Sequence, residues 1–191
     1  MCIRDSLYGM GVDALRKNLG EGTTVAEAKA FLQAYFHIYT RLAEYLEETK
    51  ATAREQGYTT TMFGRRRYFP GLKQAAPFIR ARAERMAINA PIQGTSADMI
   101  KLAMVNIDNY LKQEKKTNHA RMLLQVHDEL LFEVAEKQVD DIVPTLISLM
   151  ESVLATKDNQ GVPILASAKI GDNWQDLKEY QPKPKAKTKH R

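Results

Sequence analysis

The chain has 191 residues, 44% hydrophobic and 27% charged, the balance of a soluble globular protein with one domain or parts of two. No apolar run reaches the length of a membrane span, and the N-terminus lacks the apolar core of a signal peptide; a single cysteine, Cys2, excludes an internal disulfide framework and fits a reducing, cytoplasmic setting. The formal net charge of +5, with pI about 9.2, suggests a polyanionic partner, although a solvated basic surface explains the charge alone equally well.

Residues 1–6, MCIRDS, fit no structural pattern. Residues 24–56 read as one long helix: Thr24 and Glu27 form a capping box, and Phe31, Leu32, Tyr35, Tyr39, Leu42 and Leu46 recur at helical steps. Gly57 ends it. The stretch YTTTMFGRRRYFPGL, residues 58–72, reads as an irregular hairpin turning at Gly64. A helical segment follows from about Pro77 to Lys115, with a kink or break expected at Pro91. Beyond it, Ile100, Ala103, Met104, Ile107 and Leu111 form an apolar stripe.

Residues 121–126 and 129–134 read as two buried strands around His127 and Asp128. A third amphipathic helix covers roughly 136–155, with Val139, Ile142, Val143, Leu146, Met150 and Val153 on one face and Pro144 inside it. Alternation from Ile164 to Ile170 predicts a strand. The tail QPKPKAKTKHR, residues 181–191, carries Lys183, Lys185, Lys187, Lys189 and Arg191 and is expected to be disordered. The order helix, strand, strand, helix, strand in the second half predicts an α+β fold, an antiparallel sheet covered by helices on one face.

Three constellations could carry chemistry. Asp128 and Glu129 sit together at a predicted turn, where two acids suit a hard divalent cation bound through oxygen. From these residues alone, an ordinary polar turn is the better reading. Arg85, Asn89 and Gln93 are spaced i, i+4, i+8 and share one helical face; Arg and side-chain amides are the groups that contact base edges, and a solvent-facing polar stripe is the plain alternative. Tyr8, beside Gly9, could stack on a base or simply fill a core. P-loop, GxSxG and HExxH motifs are absent from the sequence, as is any metal-spaced Cys/His set, and His37, His119, His127 and His190 are scattered.

The combination and order of LYGMG, FGRRRYFP, AERMAINAPIQGTSADMIKLA, LLQVHDEL and GDNW closely resemble the C-terminal end of family A DNA polymerases, over residues 7–178. QVHDEL resembles the family's motif C. The resemblance implies a DNA-directed DNA polymerase that transfers nucleotides to a primer 3′ end by a two-metal mechanism. It implies that Asp128 helps hold Mg²⁺, with Glu129 as the neighbouring catalytic acid. It places His127 near the primer end, Arg85, Asn89 and Gln93 on the primer–template duplex, and Tyr8 beside the templating base. Arg65, Arg66 and Arg67 would lie near the substrate and duplex. The implied partners are primer–template DNA and deoxynucleoside triphosphates, with no membrane and a monomeric state.

The implied division is 1–6 outside the family, 7–80 a partial fingers region, 81–180 the C-terminal half of the palm, and 181–191 the basic tail. Two departures stand out. The family's fingers Lys, eight residues before the tyrosine, would fall before Met1, and Ile3, Arg4 and Asp5 occupy its Asn-Phe-Gly positions. Motif A, with its second catalytic aspartate, is absent from the sequence. The chain is therefore expected to be a piece of a polymerase, inactive alone. A non-catalytic nucleic-acid-binding module is the alternative, and a metal-dependent phosphodiesterase using Asp128 and Glu129 is a third reading.

Overall fold

The computed structural model describes residues 11–74, 76–155 and 157–182. Among the described residues helices dominate, and three separate two-stranded antiparallel sheets complete an α+β architecture. The chain divides into two compact units between Thr95 and Ser96.

In the first unit, α1 (Val12–Leu19) has no counterpart among the elements expected from the sequence; Leu15 at its centre is fully buried. The expected helix over 24–56 is two helices, α2 (Val25–Ile38) and α3 (Thr40–Gln56). They part at Tyr39, whose backbone (φ −103°, ψ 60°) leaves the helical region while its carbonyl accepts from Leu42 and Ala43 to start the next helix. The capping box is present at α2. The Glu27 backbone N–H donates to Thr24 Oγ1 at 3.2 Å, and the Thr24 N–H donates to Glu27 Oε2 at 2.8 Å. The Thr24 N–H, together with the Thr24 hydroxyl donating to the same Oε2 at 2.8 Å, holds the Glu27 carboxyl below its usual value. Gly57 ends α3 in the left-handed region (φ 81°), a conformation that favours glycine.

Strands β1 (Tyr58–Thr60) and β2 (Arg66–Tyr68) form the expected hairpin, with Thr59 opposite Arg67. A 3₁₀ turn at Pro70–Lys73 leads on to α4 (Pro77–Gln113). Of the kink or break expected at Pro91, a break does not occur: α4 is helical throughout its 37 residues. Pro91 forgoes one ladder bond and crowds the turn before it, and that preceding part of the helix is packed into the core. Ala83, Ala87 and Ala90 of α4 pack with Ala53, Phe69 and Leu72 in the core of this unit. Arg54 places both Nε and Nη2 on Glu84 Oε1, at 2.9 and 2.8 Å, along the same contact.

The second unit is built on β3 (Ala120–Val126), β4 (Glu129–Val134) and α5 (Val139–Glu151), the last preceded by a 3₁₀ turn at Glu136–Gln138. The apolar stripe of α4 is buried here: Ile107 and Leu111 pack with Ala120, Ile142 and Leu146, and Met122, Leu130, Phe132 and Val134 close against them. One face of the hairpin is thus covered by helices, as expected. The other is open. Leu123 and Leu124, expected to be buried, are each 51% exposed, and Val126 is exposed too. The register slips between Met122 and Leu124, so the apolar run serves both faces while only one has a partner among the described residues.

Lys116 ties the end of α4 to α5. Its Nζ donates to Asp141 Oδ2 at 2.6 Å and to Tyr110 Oη at 2.9 Å, and both bonds raise its pKa above the ordinary lysine value. The strand expected over 164–170 is reduced to β5 (Lys169–Ile170), paired with β6 (Lys178–Glu179), which the sequence pattern does not predict. Residues 164–168 keep the alternating burial but not the ladder. The Ala166 N–H turns instead to Glu151 Oε1 at 3.0 Å, while the Tyr180 N–H donates to Ala168 O at 2.8 Å, one step further in the β5–β6 register. No helix among the described residues is long and apolar enough to cross a membrane.

Candidate functional site

The hairpin tip of the second unit presents three of the expected residues. Val126 pairs with Glu129, leaving His127 and Asp128 as a two-residue loop. Such loops need a left-handed residue at their first position, normally glycine. Here His127 takes it, at φ 53°. The Gln125 side-chain amide donates to the His127 carbonyl and braces the turn. His127, Asp128 and Glu129 are all exposed. Neither carboxylate has a hydrogen-bond or ion-pair partner among the described residues. The tip therefore offers two uncommitted carboxylates at neighbouring positions of a hairpin turn. That donor set fits a hard divalent cation, which takes one or two protein carboxylates and fills its remaining positions with water and phosphate.

The first unit holds the second constellation. Arg85, Asn89 and Gln93 all lie on α4, with Arg85 and Gln93 exposed and Asn89 half-buried. Arg85 and Gln93 make no side-chain hydrogen bond or ion pair among the described residues, so their donors are available. Arg82, three residues before Arg85 and seven before Asn89, extends the same face by a turn and is exposed as well. Its helical spacing to Arg85 is the signal in the sequence that marks it.

The three arginines expected near the substrate and duplex are not equivalent. Arg66 lies over the Tyr58 ring at 4.8 Å and Arg67 over the Phe69 ring at 5.5 Å. Arg65 instead donates from Nη2 to the Gly94 carbonyl at 3.1 Å. The Met62 N–H donates to Thr95 Oγ1 at 3.0 Å. The hairpin tip therefore docks on α4 one residue past Gln93. Gly94, Thr61 and Thr95 make that docking; Gly94 and Thr95 fall inside the AERMAINAPIQGTSADMIKLA run, but nothing in that run marks them as a docking point. The one available signal is a glycine in the middle of a helix, where it is disfavoured unless something packs closely. Tyr8 lies outside the described residues.

A profile of DNA polymerase family A matches residues 5–176. The chain belongs to DNA polymerase family A. It is 42% identical over 170 residues to DNA polymerase I of Pseudomonas aeruginosa, covering 89% of this chain and 18% of that protein. It is 39% identical over 173 residues to the thermostable DNA polymerase I of Thermus aquaticus, covering 91% of this chain and 20% of that one. The chain thus spans a fifth or less of the length of these relatives. Among solved structures, it resembles the POL domain of Pol1 from M. smegmatis in complex with DNA primer-template and dNTP. The TM-score is 0.74 at 38% identity, over 84% of this chain and 27% of that one. Both the α+β class and the resemblance read from the ordered motifs are borne out. The family uses divalent metal in general.

Proposed function

We propose that this chain supplies the motif C part of a DNA-directed DNA polymerase, the part that holds a catalytic Mg²⁺ through Asp128 and follows the primer–template duplex along α4. The observation that carries the reading is the tip of the β3–β4 hairpin, where Asp128 and Glu129 stand exposed and uncommitted beside a braced turn. Bound there, Mg²⁺ would activate the primer 3′ hydroxyl and stabilise the leaving pyrophosphate. The chain's own contribution is placement: Asp128 offers oxygens to the ion, Glu129 adds negative potential beside it, and His127 sits at the same turn, facing the primer end. Arg85, Asn89 and Gln93 hold the duplex in register, with Arg66 and Arg67 contributing positive charge. The division into a partial fingers region (7–80) and a half palm (81–180) belongs to this reading, as do deoxynucleoside triphosphates as partners and a monomeric state.

One metal-holding aspartate does not replace a two-aspartate site, so the 191-residue chain by itself is not expected to extend a primer. Joined behind the upstream part of the polymerase domain of a 39%-identical relative, it should do so. In that chimera Asp128→Ala should lower the extension rate by roughly a thousandfold or more, the cost of several kcal/mol of charge stabilisation, while duplex affinity stays within about twofold. Glu129→Ala should lose less. Near-normal extension by Asp128→Ala in a steady-state primer assay would remove Asp128 from the metal site.

A further inference from the structure

We propose that Gly94, Thr61 and Arg65 form a brace that locks the basic hairpin onto α4 beside Gln93, and that Arg65 is a positioning residue rather than a duplex contact. The inference rests on the reading of Gln93 as a duplex-contacting residue and deepens it. A Cβ at Gly94 would lie 2.6 Å from Thr61 Cγ2 and 3.3 Å from the Arg65 guanidinium. Two carbons do not approach that closely, so only glycine permits the docking. Helix interiors disfavour glycine, and the contact explains why one is tolerated here. Thr61 cannot simply rotate its methyl away. Its side chain is buried, and its Oγ1 accepts from the Arg65 N–H at 3.2 Å. The Thr61 N–H donates to Arg65 O at 2.9 Å, so the loop is closed on itself before it meets the helix.

The Arg65 guanidinium then bonds the Gly94 carbonyl, and Met62 bonds Thr95. Together with the close approach of Thr61 to Gly94, these bonds bind residues 61–65 to residues 94–95, all within one compact unit. Of the two arginines that follow Arg65, Arg66 lies over the Tyr58 ring of the same hairpin and Arg67 over the Phe69 ring just past it. Displacing the tip would shift the basic strand relative to the turn of helix that carries Gln93. A donor that checks base-pair geometry tolerates little displacement, because hydrogen bonds weaken steeply with distance and angle.

The test uses the 191-residue chain, its melting temperature, and fluorescence anisotropy on duplexes with matched or mismatched primer ends. Gly94→Ala should lower the melting temperature, weaken matched-duplex affinity several-fold and narrow the matched-to-mismatched ratio. Thr61→Ser deletes the colliding methyl and keeps the hydroxyl. Alone it should be near neutral, and combined with Gly94→Ala it should restore all three readouts. Arg65→Met, which leaves an exposed surface position without its donors, gives an independent arm should Gly94→Ala not fold. It should narrow the ratio and leave the salt dependence of binding unchanged. An Arg65→Met that reduces the log–log salt slope by about one and spares the ratio would make Arg65 a phosphate contact and overturn the brace. So would failure of Thr61→Ser to rescue Gly94→Ala. A wild type without any matched-end preference would instead sink the duplex reading of Gln93, and the brace would then stand or fall on the melting-temperature rescue.

Discussion

His127 carries φ 53° at the turn that presents Asp128, a backbone region that costs a β-carbon-bearing residue about 1 kcal/mol or more. Glycine would relieve that strain, yet a histidine stands beside the acid, which suits a side chain kept there for contact. Gln93 is a comparable case on α4, an exposed amide with an uncommitted donor. In the minor groove, purine N3 and pyrimidine O2 lie at similar places in every Watson–Crick pair, so one donor can check pair geometry without reading sequence. A mispair moves those acceptors and leaves the donor unpaired, at about 1–3 kcal/mol if buried. In the chimeric polymerase, Gln93→Ala should therefore slow extension from matched ends more than from mismatched ends, narrowing their ratio by roughly tenfold if about 1.4 kcal/mol is lost. Rates measured over several primer-end pairs decide it, and an unchanged ratio would return Gln93 to a plain polar surface.

Helix α4 shows how far an element can be read from its residues. Its apolar stripe from Ile100 to Leu111 has the 3.6-residue period of a buried face, and Ile100, Ala103, Ile107 and Leu111 are buried. Pro91 shows locally a residue that disfavours a helix interior, and the packing of Ala83, Ala87 and Ala90 in the turns before it is tertiary information. Tyr39 shows the converse: its neighbourhood has unbroken helical periodicity, and only its backbone angles reveal the break. The polymerase motifs are legible because they are contiguous. The Gly94 docking is not, because its parts come from residues 61–65 and 94–95 and only folding brings them together. The end of α4 offers a clean test of element-level energetics. Lys115 sits at φ 53° in a Schellman cap, with the Lys115 N–H donating to Lys112 O at 3.2 Å and the Lys116 N–H to Leu111 O at 2.8 Å. Lys115 is exposed, so Lys115→Gly removes the left-handed strain and little else. It should raise stability by about 0.5–1 kcal/mol, read from urea unfolding at unchanged m. A loss of stability would mean that the Lys115 side chain contributes more than its backbone strain costs.

At the scale of the whole molecule, charge and recognition are separable. The tail at residues 181–191 carries five positive side chains and no acids, so its deletion brings the formal net charge from +5 to zero. The remainder holds Arg82, Arg85, Arg66 and Arg67 on its surface, balanced overall by acidic residues elsewhere. Counterion release depends on how many phosphates are neutralised and is blind to base-pair geometry. Duplex binding by the full chain should therefore be weak and steeply salt-dependent, and deleting 181–191 should flatten the log–log slope by about 0.9 for each phosphate that the tail neutralises. The matched-to-mismatched ratio should stay as it was, because Gln93 and its brace remain. Anisotropy titrations from about 50 to 200 mM salt, on both chains and both duplexes, separate the two effects. If the deletion left the slope intact, the long-range attraction would have to come from the folded surface, and the arginines of α4 and the β1–β2 hairpin would be its source. If it abolished the ratio, the tail itself would be reading the primer end, and the assignment of that task to α4 would fail.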